Sequence, residues 1–237
     1  MELNNPIERL IVFLKNAKKI SINTSSIKAW DELLDTEGDI PLRMERIAKF
    51  HRLIEEVCIE LSNLENYEDV TQPIIKNLKR LHEVNNLNST WGSIVNVIKD
   101  TTIIGLEIFV KFVGDRYTSD YDLEKLFSIK KELNAILEQT LESQEIEPEL
   151  KKFLIRSLRN IVTSIEEYHI AGILPVSDAL NTSLGRLLTD EQYRELLNQN
   201  TLGKKISLVF AELANITTVL TSTAPLVGAS FKLLTNI

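Results

Sequence analysis

Three histidines and one cysteine limit the chemistry open to this chain of 237 residues. Glu166 and His169 stand in a Glu-x-x-His pattern, which on a continuous helix puts a carboxylate and an imidazole on one face. A di-iron carboxylate bundle needs two such pairs and two further glutamates from facing helices. Neither His51 nor His82 has a glutamate three residues before it, so half of that set is missing and no metal is expected. Cys58 stands alone, which excludes an intrachain disulfide and a zinc site built on several thiolates. It follows Val57 on the apolar side of its segment and reads as an inert core thiol. The sequence holds no glycine-rich phosphate loop, no Gly-x-Ser-x-Gly elbow and no His-Glu-x-x-His, so no cofactor is expected and no motif names a catalytic residue.

One further pair could act on a phosphodiester. The run Arg46-Ile47-Ala48-Lys49-Phe50-His51 fits Arg-x4-His and resembles the active-site motif of HEPN-type ribonucleases, which are also all-α. Over these six residues the resemblance implies Arg46 and His51 as cleavage residues at a dimer cleft. The family usually has a polar residue after the arginine, where this chain has Ile47. Five residues on a straight helix turn the side chain by about 140°, so the pair shares one face only if the helix is locally distorted. Without such a site, Arg46 is a solvated charge and His51 flanks a packing seam.

The elements that would position these residues are helices. With 8 Gly and 6 Pro the chain has few sharp turns, and no stretch sustains the two-residue alternation of a half-buried strand. Asn5 with Pro6 opens a first helix with Ile7, Leu10, Ile11, Leu14 and Ala17 as its stripe. A short helix follows Ser25 or Ser26 and stops at Gly38. A long one opens at Asp39-Ile40-Pro41 and carries the heptad-like seam Ile47, Phe50, Ile54, Val57, Leu61 and Leu64. Thr71 and Pro73 begin the next. Ser89 caps a helix from Thr90 to Val113 whose wide apolar arc, including Ile104 and Ile108, predicts burial on more than one side, with Glu107 and Lys111 pairing. Further helices run from Ser119 to Leu141, from Pro148 to Ala171, from Pro175 to Gly185, and from the capping box Thr189–Gln192 to Leu197.

The tail is the most unusual segment. From Leu213 to Phe231 there are nineteen residues without a charge, six of them Ser or Thr, with Pro225 inside. A bilayer span needs about 20 predominantly apolar residues, so this stretch is short and diluted for that role. Small residues such as Ala214, Gly228 and Ala229 suit close approach between helices, and buried Ser and Thr hydroxyls can bond back to the helix. The expectation is a buried apolar C-terminal helix. Its larger side chains Leu213, Leu220, Val227 and Phe231 would form the surface that a partner or second subunit covers.

Composition fits a folded soluble protein: 43% apolar and 26% charged residues, with mean hydropathy −0.04. The net charge is −7. From Thr201 onward three lysines against one glutamate give the tail +2, which leaves −9 to the rest. No basic stripe of the kind nucleic-acid binders use is visible, so no nucleic acid is expected as a partner. The N-terminal MELNNPIERL has no apolar signal core, and the lone cysteine suits a reducing compartment, which points to the cytoplasm. Abundant Ile, Lys and Asn suggest an AT-rich bacterial genome.

These observations predict an all-α, multi-helix bundle of nine or ten helices. It forms one domain over residues 1–237, or a subdivision into residues 1–115 and 116–237. The expected function is that of a non-enzymatic protein-interaction, regulatory or assembly subunit, with a protein partner or a homo-oligomer. Two alternatives stand beside it: a membrane-acting effector using residues 206–234, and the ribonuclease using Arg46 and His51.

Overall fold

A computed structural model of the chain describes residues 5–84, 87–113, 123–199 and 201–221, with side-chain surroundings for all of these except 112, 113, 123, 199 and 219–221. Among the described residues there are twelve α-helices, one 3-10 turn and no strand, apart from an isolated bridge between Ser25 and Thr90. The chain falls into two compact units, Met1–Thr118 with His169–Ala171, and Ser119–Tyr168 with Gly172–Ile237.

The first unit begins with α1 (Pro6–Lys19), where the Asn5 side chain accepts the Ile7 N–H at 2.9 Å and Pro6 occupies the first helical position. In α2 (Ser26–Leu34) Ser25 is the cap. This helix ends on Asp35 in the left-handed region (φ 51°) rather than at Gly38, because a short acidic side chain tolerates that conformation. Asp39 accepts the Leu42 N–H at 3.0 Å and starts α3 (Ile40–Ser62). The expected seam from Ile47 to Leu64 is buried throughout. Next comes α4 (Glu68–Glu83), a turn ahead of the expected start at Thr71. Glu68 and Asp69 supply the acidic first turn, and Pro73 lies inside the helix.

Residues 90–113 do not form one rod. They form α5 (Gly92–Val95) and α6 (Asp100–Val113). Backbone bonds tie the start of this stretch sideways to the loop after α1: Trp91 N–H to Thr24 at 2.7 Å and Gly92 N–H to Ile22 at 2.9 Å. Lys18 then meets the Ile98 carbonyl at 3.5 Å and the Asp100 carboxylate across the break. The core of the unit is a ring cluster. Phe13 stacks on Phe50 with centroids 4.2 Å apart, Trp30 lies 5.5 Å from Phe50, and Trp91 meets Trp30 edge-on at 5.2 Å. The Trp91 indole donates to the Ala17 carbonyl at 2.8 Å. Such ring pairs contribute about 0.5–1.5 kcal/mol each beyond their buried area.

The second unit contains α7 (Leu123–Glu142), α8 (Pro148–Glu166), α10 (Leu174–Gly185), a 3-10 turn (Arg186–Leu188), α11 (Glu191–Gln199) and α12 (Thr201–Thr221). Between α8 and α10 lies the short α9 (Tyr168–Ala171). The expected helix from Pro148 to Ala171 is therefore also cut in two, at Glu167, and these two cuts raise the count from the expected nine or ten to twelve. In this unit α7 packs on α8 and α12, α10 packs on α8 and α12, and α11 folds back on α12. Leu133, Leu154, Leu158, Leu180, Phe210 and Leu213 are completely enclosed.

The start of α12 differs from the uniformly buried rod that the tail suggested. Ile206, Val209, Phe210 and Leu213 face the interior, but Lys204, Lys205 and Asn215 are exposed and Leu208 is 70% exposed. Its described part is thus one-sided, and residues 222–237, including Pro225, lie outside the described residues.

Two glycines should respond oppositely to the same change. A Cβ on Gly203 would sit 1.9 Å from the Leu196 carbonyl oxygen, at the corner where α11 meets α12. A Cβ on Gly185 would meet nothing within 4 Å. Gly203→Ala should therefore cost more than ~2 kcal/mol in urea unfolding, whereas Gly185→Ala should raise stability by ~0.5–1 kcal/mol.

Candidate functional site

Arg46 is buried at 4% exposure. Its Nη1 donates to the carbonyls of Leu34 and Asp35, each at 2.7 Å. The guanidinium thus caps the C-terminal end of α2, where helix carbonyls have no partner of their own and a cation is favoured. The Arg46 expected on sequence to be solvated is a structural brace. Its neighbour Arg43, also buried, reaches Asp31 at 3.1 Å, and Asp31 in turn accepts from the Thr36 hydroxyl.

His51 points to a different element. Its ring stacks on that of His82 from α4, with centroids 4.7 Å apart and planes inclined by 24°. Half-burial and, secondly, the neighbouring His82 hold the His51 pKa below the ordinary histidine value, against a smaller opposing pull from Glu55. Arg46 and His51 therefore contact separate parts of the unit, Arg46 the end of α2 and His51 the α4 helix. The Glu166–His169 face is likewise interrupted. Glu166 is the last residue of α8 and pairs with Lys130 at 3.6 Å, while His169 belongs to α9. Among the described residues no group of three or more His, Cys, Asp or Glu side chains could hold a metal ion. Burial raises the pKa of Cys58, which keeps it a thiol.

Two surface features have more to offer. The first is on α6, where Ile104 and Ile108 are 55% and 52% exposed, one turn apart. Sequence alone placed them in a buried arc, but the core side of α6 is taken by Ile103, Leu106 and Phe109. Glu107 also departs from expectation, since its partner is Lys15 of α1 at 2.6 Å. The second is on and beside α4. One hollow of about 850 Å³ is lined by α4 residues alone, Gln72, Pro73, Ile75, Lys76, Lys79, Arg80 and Glu83. A second, of about 470 Å³, runs between Glu55, Cys58 and Ile59 on α3 and Ile75 and Lys79 on α4. Sequence reasoning passed over this face, although the spacing of Lys76, Lys79 and Arg80 was readable as one side of a helix.

The interaction residues expected in the tail divide as follows. Leu213 is enclosed in the second unit. Leu220 lies in the last turn of α12 with its side chain outside the described set, and Val227 and Phe231 lie outside the described residues. Among the described residues no helix is long and apolar enough to cross a membrane. No protein-family model, no curated protein and no solved structure matches the chain.

The two residues of the Arg-x4-His run should separate in experiment. Arg46→Leu removes a buried donor from two helix-end carbonyls and should cost ~2–4 kcal/mol of unfolding free energy. His51→Phe keeps a ring against His82 and removes a titrating group. Because the folded-state pKa of His51 is depressed, its neutral form stabilises above the ordinary histidine pKa, and that stability is lost as pH falls through the folded value. Denaturation midpoints from about pH 7.5 to about pH 5 should therefore fall less steeply for His51→Phe than for the parent chain.

Proposed function

We propose that this chain acts by binding protein, as a non-enzymatic interaction or assembly subunit that associates with further copies of itself. The observation that carries this reading is the pair Ile104 and Ile108, two large aliphatic side chains left more than half exposed at adjacent turns of α6. Neighbouring exposed apolar groups on a folded surface mark contact sites, because covering each one yields roughly 1 kcal/mol or more. The state of the polar groups supports the same conclusion. Arg46 and Glu166 are engaged in helix capping and ion pairing, and His51 in a ring stack. Leu220, Val227 and Phe231 are assigned to the same associating role on their sequence pattern alone. The single thiol suits work in a reducing cytoplasm.

Light scattering on size-exclusion peaks tests the reading. The full chain should show at least twice the monomer mass of 27.0 kDa. Ile104→Glu with Ile108→Glu should return it to the monomer without loss of helical circular dichroism. A monomer at every concentration, indifferent to both substitutions, overturns the reading. Flotation of the full chain with liposomes would favour a membrane-acting role instead.

A further inference from the structure

Where α3 and α4 meet, the imidazoles of His51 and His82 are stacked, one from each helix, with centroids 4.7 Å apart. Both residues are half-buried, so water reaches the pair and can deliver protons to it. Two imidazolium rings held face to face repel, and the first proton taken up opposes the second. Glu55, one turn along α3, favours a protonated His51, but its pull is smaller than the opposing effects of burial and of His82. Arg52 and Glu83, each next to one of the rings in sequence, are exposed. Lys79 of α4 bears, together with Glu55, on the Cys58 thiol further along α3. The charges that α1 and α2 direct at α3 are paired there, Arg9 with Glu56 and Asp31 with Arg43. On α6, which also packs against α4, Asp100 and Glu107 pair with Lys18 and Lys15 of α1, and Lys111 is exposed.

The earlier part of α4 is fastened to α6 independently of these rings. Thr102 donates to Asn77 Oδ1 at 2.8 Å, and both residues are buried. One turn before Asn77, Ile74 lies so close to Gly105 that an added Cβ there would come within 2.5 Å of the Ile74 Cδ1. Beyond Asn77 the helix has two buried leucines, Leu78 and Leu81, then His82, and it ends at Glu83. We propose that the His51–His82 stack is an acid-operated latch: protonation of both rings frees residues 78–83 from α3 and uncovers Leu78 and Leu81, while Ile74 and Asn77 hold the rest of α4 on α6. Burial and, secondly, His82 keep the His51 pKa below the ordinary histidine value. The neutral pair therefore stabilises the closed latch fully above that ordinary value, and this contribution is lost as pH falls through the lower folded-state value. The latch is closed at neutral pH and opens in mild acid.

Hydrogen exchange read by mass spectrometry on the full chain tests the latch, at about pH 7.5 and about pH 5, with rates corrected for the intrinsic pH dependence of exchange. Peptides covering residues 78–83 should lose protection about tenfold or more at the lower pH, while those covering Pro148–Glu166 keep theirs. High salt should diminish that loss, because it screens the repulsion between the two rings. His51→Phe and His82→Phe each keep a ring in the stack and remove one protonation site, so each should hold its protection at both pH values. In His82→Phe the titration of the His51 ring, followed by its proton resonances, should move upward, since the neighbouring cation is gone. Circular dichroism checks that the variants keep their helices. Should one lose them, the salt dependence of the parent chain decides. The proposal is overturned if residues 78–83 keep their protection at the lower pH, or if the phenylalanine variants lose as much as the parent. A loss that salt leaves unchanged, or one spread equally over Pro148–Glu166, overturns it too.

Discussion

The stack of Phe13 on Phe50, with Trp30 and Trp91 against it, is the contact on which the first unit turns. Helices close their backbone hydrogen bonds within themselves, so their arrangement rests on side chains alone. These four rings come from α1, α2, α3 and the segment that leads into α5, and they fix all four at once. The Trp91 indole adds a directional bond to the end of α1 through the Ala17 carbonyl. Trp91 thus anchors the start of the stretch that is divided into α5 and α6. On α6 the core side is taken by Ile103, Leu106 and Phe109, and Ile104 and Ile108 are left outward.

Buried arginines complete what the rings begin. Arg9, Arg43 and Arg46 are all below a tenth exposed, and each joins elements that apolar contact alone would leave free to slide. A guanidinium is suited to this because its planar donors reach two acceptors in fixed directions. Burying such a charge is costly unless its donors are met, and here Nη1 of each arginine meets a carbonyl or a carboxylate. A cation that has been enclosed in this way is held for architecture. The surface cations of α4, Lys76, Lys79 and Arg80, are the opposite case, exposed to solvent.

Much of the helical outline was legible in the residues. Asn5 and Asp39 act as caps where their types and the following prolines indicate, and the Ile47-to-Leu64 seam is buried as its spacing requires. These are local signals, set within one or two turns. What could not be read was set at a distance. Nothing in the stretch around Asn96 announces the break between α5 and α6, and nothing around Trp91 and Gly92 announces their backbone bonds to the distant loop near Ile22. The role of Arg46 depends on the end of a helix eleven residues earlier in the chain, and an Arg-x4-His pattern is silent about that. Ile104 and Ile108 look no different in sequence from Ile103 and Leu106, since hydrophobicity records what a side chain prefers and not whether a neighbour is there to meet it.

The carbonyl that Arg9 holds at 2.7 Å belongs to Ile170, a residue counted with the first unit although the rest of that unit is complete by Thr118. Ile170 is itself almost fully enclosed in the first unit's core. The order of synthesis therefore matters. At roughly 5–20 residues per second, several seconds pass on the ribosome between the last of α6 and the arrival of this plug. The contact that Ile170 makes in that core therefore waits for a short segment translated after Ser119–Tyr168 of the other unit.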